Sequence, residues 1–221
     1  MVRLSDILLS GLALLILAPL LLLSMLVLRF TGEGEVFYVQ QRVGKDGRRF
    51  GLLKFATMVK NSPSIGTGTV TLKNDPRILP VGRFFRKTKL NELPQLLNIL
   101  TGDMSVIGPR PQAERCFAAF PADIQQEIVK VRPGLSGIGS IIFRDEEELL
   151  QSAQDGVNFY DSVIAPYKGE LERWYIAHQG ILTYFLLILA TAWVVLSPSS
   201  RIVWRLFRDL PQPPPELLGK I

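Results

Sequence analysis

The chain of 221 residues has one cysteine, Cys116, and one histidine, His178. A single thiol forms no internal disulfide, which fits a reducing compartment. A single imidazole excludes a histidine pair, and without CxxC or HxxxH spacing a structural zinc site is excluded too. Acid is in short supply: 20 Asp and Glu stand against 25 Lys and Arg, a formal charge of +5. That surplus suits an anionic partner, whether phosphate groups, nucleic acid or an acidic lipid surface. Nucleic acid is set aside, because no recognition-helix pattern occurs and the cations sit in Gly/Pro turns. There is no internal repeat, and the length fits one domain with membrane attachments.

Apolar residues are concentrated in two places. Residues 7–28, ILLSGLALLILAPLLLLSMLVL, carry no charge over 22 positions, enough to cross a hydrocarbon core of about 30 Å as a helix. A cleaved signal would have a shorter apolar region and a small-residue cleavage site, which LRFTGEGE does not supply. Pro19 removes a backbone donor mid-segment and predicts a kink or break there. A kinked helix either spans or turns back, and Arg3 and Arg29 at its two ends do not decide between them. The second stretch, 180–196, has 17 residues, at the lower limit for a span. Arg201, Arg205 and Arg208 follow, interleaved with Ile202, Val203, Trp204, Leu206 and Phe207, as in a basic helix lying on anionic lipid. A second crossing would set these arginines opposite the basic body, so the segment is expected to lie shallow. A transporter would need more spans than two. The organisation expected is a membrane helix (1–30), a body (31–179), a hydrophobic and basic amphipathic segment (180–210) and a Pro-rich tail without a fold of its own (211–221).

In the body, FYVQQRV reads as a strand, GKDG as a tight turn and RRFGLLKFATM as the returning strand, hence a hairpin. Residues 61–74 are polar and Gly-rich and read as a loop. VGRFFRKTKL is short and basic. Asn91 then stands as a candidate N-cap, with Pro94 in the first turn of an amphipathic helix ELPQLLNIL. TGDMSVIGPRPQ predicts a turn and an extended piece. AERCFAAF and ADIQQEIVKV read as helices, RPGLSGIGSIIF as Gly-rich and then strand-like, and DEEELLQSAQ and NFYDSVIAPYKGELERWYIAH as helices. The fold class is α+β with few strands.

Glu92 lies at a helix entrance, where the dipole and free N–H groups favour an anion, and Arg83, Arg86, Lys87 and Lys89 surround it. A cap with a solvated basic face is the plainer reading. Against it, arginines recur beside Gly or Pro or in turns: Arg77 in DPR, Arg110 in GPRP with Pro111, Arg132 in VRPG, Arg144 in IFRD. Arg offers a bidentate fork to phosphate, so together they suggest a polyanion site such as one for pyrophosphate. Asp103 in GDMS is a candidate Mg²⁺ ligand, since Mg²⁺ bridges carboxylates to substrate phosphates; a turn cap is its alternative. Lys54 is either an exposed edge lysine or part of the site. The acidic run 145–148 reads as the first turn of a helix, with no catalytic role.

QQRVGKDGRRFGLLKFATM, DPRILPVGRFFRKTKLNELPQLLNIL, GDMSVIGPRP and VRPGLSGIGS, in this order and spacing, resemble the bacterial sugar transferases, small monotopic phosphoglycosyl transferases that start exopolysaccharide, O-antigen or glycoprotein glycan synthesis. The resemblance covers roughly residues 2–175. It implies transfer of a sugar 1-phosphate from a UDP-sugar to undecaprenyl phosphate, giving UMP, with Mg²⁺ as cofactor, at the cytoplasmic face of the bacterial inner membrane. It implies an N-terminal helix broken at a proline, here Pro19, that re-enters the leaflet it came from; Ala18 precedes it where some members have Ser. A homodimer is left open.

Family members open the catalytic helix with Asp-Glu, the Asp being the nucleophile; this chain has Asn91-Glu92. By resemblance Arg86 and Lys54 stabilise phosphate charge, while Arg110 and Arg144 lie in segments that hold the nucleotide. Arg77, Arg83 and Pro111 complete the substrate-binding set, and Glu92 with Asp103 the metal set. A further departure is Lys54-Phe55-Ala56-Thr57-Met58, where an Arg often replaces the Ala. Three readings follow from Asn91. Glu92 is the nucleophile, the one preferred here; or the lipid phosphate attacks directly with Glu92 on the metal; or Asn91 disables the enzyme and leaves a membrane protein that binds nucleotide sugar.

Overall fold

The computed structural model describes residues 1–65, 75–198 and 200–221. Of the expected loop over 61–74, only its start is described, with a 3-10 turn at Ser62–Ser64; the rest lies outside the described residues. The architecture is a mixed α/β domain, mostly helical with few short strands, led by a long apolar helix.

That helix, α1 (Val2–Arg29), is continuous, with Pro19 inside it rather than ending it. It is the one described helix long and apolar enough to cross a membrane, about 42 Å at 1.5 Å per residue. Yet it touches the domain at both ends. Near its start, Arg3 donates to the carbonyls of Ile99 (2.5 Å) and Leu100 (2.9 Å). Asp6, 1% exposed, accepts through Oδ1 from Ser105 Oγ, Val106 N and Tyr184 OH, each at 2.9 Å. In the middle, Ala13, Leu14 and Leu17 pack on Leu52, Leu96, Ile99 and Met104. At its end Leu28 is buried with Phe55 and Phe85. The opposite face, including Leu8, Leu12, Leu15, Leu22 and Leu26, is exposed.

The hairpin forms as its pattern dictates: β1 (Phe37–Val43) and β2 (Arg49–Phe55) pair antiparallel, Tyr38 opposite Lys54. Its turn places Asp46 at φ 58 and Gly47 at φ 71, the left-handed pair that Asp-Gly accommodates. The basic stretch becomes α2 (Pro80–Lys87). The next helix starts later than expected: Leu90–Glu92 is a 3-10 turn and α3 runs Gln95–Thr101 from Pro94, so Asn91 is not its cap. Asn98 clamps α3 to β2, accepting from Leu53 N and donating to Gly51 O, both at 2.9 Å.

β3 (Ser105–Ile107) is followed by α4 (Glu114–Ala118) and α5 (Ala122–Ile128). β4 (Gly134–Ser136) then pairs parallel with β3. This pairing joins GPRP to VRPG: Gly134 N donates to Pro109 O (2.8 Å) and Gly108 N to Ser136 O (2.9 Å). The strand-like end of RPGLSGIGSIIF forms a helix instead, α6 (Ile138–Ile142), entered from the extended Gly137 once the strand pairing ends at Ser136. α7 (Glu146–Ser152) and α8 (Gly156–Phe159) follow, then a π-turn at Tyr160–Ile164 and α9 (Ala165–Ala177).

α10 (Ile181–Leu196) buries Tyr184, Leu187, Ala190 and Val194 on the domain and exposes Leu182, Phe185, Leu189 and Trp193. At about 24 Å it is shorter than the hydrocarbon core, and one of its faces belongs to the domain's main core. The basic segment yields only a short α11 (Ile202–Leu206). The tail corrects an expectation: it is folded onto the domain. Leu217 is buried in the main core, as is Leu210 just before the tail, and Tyr167 OH donates to Pro211 O at 2.8 Å. A 3-10 turn at Pro215–Leu217 presents Leu217 to the core.

Candidate active site

Between the hairpin, the Leu90–Glu92 turn and the α6–α7 segment lies an open cleft of about 1630 Å³. Lys54, Arg83, Arg86, Asn91, Glu92, Arg110, Pro111 and Arg144 line it. Each reaches it by a distinct route. Lys54 projects from β2, which Asn98 ties to α3. Arg110 leaves the β3 end, held by the β3–β4 pair. That pair is backbone against backbone: a Cβ on Gly134 would lie 2.1 Å from Gly108 N. Lys89, at φ 60, takes the left-handed position that closes α2, normally a glycine's place, at a cost of about 1 kcal/mol. The chain thereby turns sharply into Asn91-Glu92.

Glu92 and Arg110 form the cleft's central ion pair, 2.6 Å from Oε1 to Nη2. Burial alone would raise the Glu92 carboxyl, but Arg110 and Lys54 outweigh it and hold it at about 2. Glu92 is therefore ionised at neutral pH. Loss of solvent pushes the Lys54 ammonium down to about 7, with Arg42, Arg110 and Arg86 adding repulsion and Glu92 opposing. Arg42, from β1, is a cleft residue that sequence reasoning missed. Its guanidinium donates to Gln40 Oε1 (2.5 Å) and Pro111 O (3.3 Å), and burial lowers it to about 10. A strand of alternating residues gave no sign that Arg42 would face Arg110.

Arg86 is paired with Glu147 at 2.8 Å, and Arg144 donates to Val194 O at 2.7 Å. Arg83 is exposed on α2. Asn91 is buried beside Glu92, and its Oδ1 finds no hydrogen-bond partner among the described residues. Leaving such an atom unmade costs about 1–3 kcal/mol.

Two predicted site residues stand elsewhere. Arg77 is buried against Asp75 (2.6 Å) and the carbonyls of Ser62 and Ile65, so its fork organises a loop and does not line the cleft. Asp103 accepts from Thr101 Oγ1 past the C-terminus of α3, while Glu92 precedes its N-terminus. Asp103 is thus not beside Glu92, and among the described residues no cluster of three metal-ligating side chains occurs. Arg132 likewise donates to Gly102 O (2.8 Å) instead of facing the cleft.

One wall is apolar. Ile188, Ala192 and Val195 of α10 border the same cleft as the cations. The arrangement offers an ionised carboxylate, Glu92, among fixed cations, with Glu146 and Glu147 further along the cleft and an apolar surface on one side. It can hold a phosphorylated, amphiphilic ligand.

Comparison with known proteins agrees with this chemistry. The family model described as bacterial sugar transferase matches residues 1–198. The exopolysaccharide production protein ExoY of Rhizobium meliloti is 38% identical over 155 residues, 64% of this chain and 68% of that protein. The UDP-glucose:undecaprenyl-phosphate glucose-1-phosphate transferase of Klebsiella pneumoniae is 36% identical over 71% of this chain, but only 34% of its own length is covered. The undecaprenyl-phosphate galactose phosphotransferase of Salmonella typhimurium is 33% identical over 88% of this chain and 40% of its own. The chain therefore spans little more than a third of these two enzymes.

Proposed function

The chain belongs to the bacterial sugar transferase family, and from that premise we propose that it moves a sugar 1-phosphate from a UDP-sugar to undecaprenyl phosphate, releasing UMP. The observation that carries this reading is the Glu92 carboxylate, ionised and in the cleft beside Lys54 and Arg110. In the sequence of steps, a Glu92 oxygen attacks the phosphorus bearing the sugar, in line with the bridging oxygen. The bond from phosphorus to that oxygen breaks, and UMP leaves with the oxygen and the electron pair. The lipid phosphate then attacks the same phosphorus, frees the carboxylate and leaves as the lipid-linked diphosphosugar. Arg110 and Lys54 meet the charge on the transferring phosphoryl group, with Arg86 at the same wall. Asn91, a neutral amide, is a poor nucleophile.

The tight Glu92–Arg110 pair favours a second mechanism as well, since a carboxylate so strongly stabilised is a weak nucleophile: direct attack by the lipid phosphate, with Glu92 orienting. For Mg²⁺, Glu92 with substrate phosphates suits the usual set of one or two carboxylates, and Asp103 does not join it. Such an ion would neutralise charge on the diphosphate. The exposed apolar faces of α1 and α10 suit a domain seated on one leaflet. With both of its ends on the same domain, α1 dips into the bilayer instead of crossing it.

The test is UMP release from a panel of UDP-sugars by the intact chain with undecaprenyl phosphate, with Mg²⁺ or with chelator. Glu92→Gln is expected to lose activity by 10²-fold or more, and a sugar-phosphate adduct on Glu92, read by mass, separates the two mechanisms. Full turnover by Glu92→Gln would overturn the role of Glu92. Silence from the native chain, with activity in Asn91→Asp, would mark Asn91 as a block.

A further inference from the structure

Beyond Arg110 the cleft continues into a lobe lined by Cys116, Ser140, Glu146, Tyr160 and Lys168. Two hydroxyls are buried there without a hydrogen-bond partner, Ser140 Oγ and Tyr160 OH. Such groups are costly to leave unpaired. Their surroundings are polar and ordered: Lys168, 3% exposed, pairs with Glu146 at 2.5 Å, and the Arg115 guanidinium stands 6.0 Å from the Tyr160 ring centroid.

The backbone makes a separate concession at this point. The helical run from Gly156 to Ala177 is interrupted by a π-turn that begins at Tyr160. Single π-turns inside helices are rare and recur at functional sites. The extra residue swings Tyr160 by about 100° round the axis relative to an uninterrupted helix. Here that places the ring against the cleft, only 4% exposed.

From these two observations we propose that Tyr160 and Ser140 determine sugar specificity, their free hydroxyls bonding the hydroxyl groups of the donor's sugar ring. The inference rests on the transferase reading above. Its geometry follows from that chemistry. The attacked phosphorus lies at Glu92 and carries the sugar directly, whereas the nucleoside is one phosphate further away. Arg110 has Glu92 as its ion-pair partner and also feels the charge of Glu146, which lines the lobe. The lobe is therefore the space adjoining the transferred phosphate. A hexose presents several donors and acceptors to two hydroxyls, each of which can give and take a hydrogen bond. A site built to pair a substrate hydroxyl discriminates strongly against an analogue that leaves it unpaired.

The experiment has two arms. The first uses Cys116, the chain's one cysteine, as a reporter of the lobe. Its alkylation rate in the intact protein is measured with UDP and with UDP-glucose, UDP-galactose and UDP-N-acetylgalactosamine. The sugar nucleotide that is accepted should slow alkylation at least fivefold more than UDP at matched saturation. The second arm compares kcat/KM across those donors for the native chain, Tyr160→Phe and Ser140→Ala. Ser140→Ala removes a hydroxyl with no partner and Tyr160→Phe one whose neighbour is the weakly bonding Cys116 thiol, so both are expected to fold. Either should lose about 10- to 100-fold on the preferred sugar and compress the ranking, with UDP inhibition unchanged within twofold. An unchanged ranking in both variants, or protection by UDP as complete as by every UDP-sugar, overturns the proposal. Absence of UMP release from the native chain counts against the transferase reading instead, and the protection arm then decides the lobe alone.

Discussion

The Arg110 guanidinium lies 2.6 Å from the Glu92 carboxylate, and two features distant in sequence hold it there. Arg110 is fixed by the parallel pairing of β3 with β4, Glu92 by the left-handed turn at Lys89. Two groups near this pair titrate close to neutral pH: Glu172, whose carboxyl burial pushes up to about 8, and one that lines the cleft itself.

That group is Lys54. Its folded value, about 7, lies below its ordinary 10.5 because burial disfavours the ammonium. Between pH 7 and 10.5 Lys54 then holds up to one more proton in the unfolded chain than in the folded one, so its contribution to stability rises with pH across that window. Below pH 7 both forms are protonated and Lys54 contributes no slope. On the proposed reading, donor binding runs the opposite way, because it would use the ammonium. We expect kcat/KM for the UDP-sugar to fall about tenfold per pH unit above roughly pH 7. Lys54→Arg, which stays charged, should flatten that limb; an unchanged fall in this variant would assign the titration to another group.

Some of this was legible in the sequence and some was not, for reasons tied to range. The hairpin was legible because period-two alternation and GKDG are local signals. The cation cluster was legible as composition, but not which arginine faces the cleft. Arg77 finds Asp75 and Arg132 finds Gly102 O, whereas Arg110 finds Glu92, and all three stand beside proline in the sequence. Partner choice is settled by packing, which residue type does not reveal. Tyr160 was invisible as a cleft residue because its position depends on the π-turn, and a 3.6-residue periodicity reads straight through that. The buried Leu217 was hidden by a Pro-rich context that usually marks an unfolded end.

The β3–β4 junction gives a sharp stability test. A Cβ on Gly134 would meet Gly108 N at 2.1 Å, Ser136 O at 2.4 Å and Gly108 O at 2.5 Å, all backbone atoms. No side-chain rotation relieves that contact. Gly134→Ala should destabilise by about 3–5 kcal/mol, a fall in Tm of roughly 10 °C for a chain of this size. Gly180→Ala is the control: its Cβ meets nothing within 4 Å and its φ of −177 is extended. A thermal melt with equal Tm for the two variants would contradict the close-approach argument.

Asp6 joins α1 to the domain, and its replacement tests whether that contact holds the helix in place. One oxygen, Oδ1, accepts from Ser105 Oγ, Val106 N and Tyr184 OH, in a site 1% exposed. Asp6→Ala strands three buried donors. The two hydroxyls can rotate toward other acceptors, but the Val106 amide cannot, so the loss should be about 3 kcal/mol, near the upper end for an unmade buried bond. Asp6→Asn keeps a carbonyl oxygen in place and should lose about 1 kcal/mol. The local readout is hydrogen exchange at the Val106 amide in detergent-solubilised protein. Exchange should accelerate strongly in Asp6→Ala and modestly in Asp6→Asn. If Val106 is equally protected in all three proteins, the N-terminal half of α1 is held by the Arg3 bonds to Ile99 and Leu100 and the apolar contacts of Leu14 and Leu17, and Asp6 has no part in docking it.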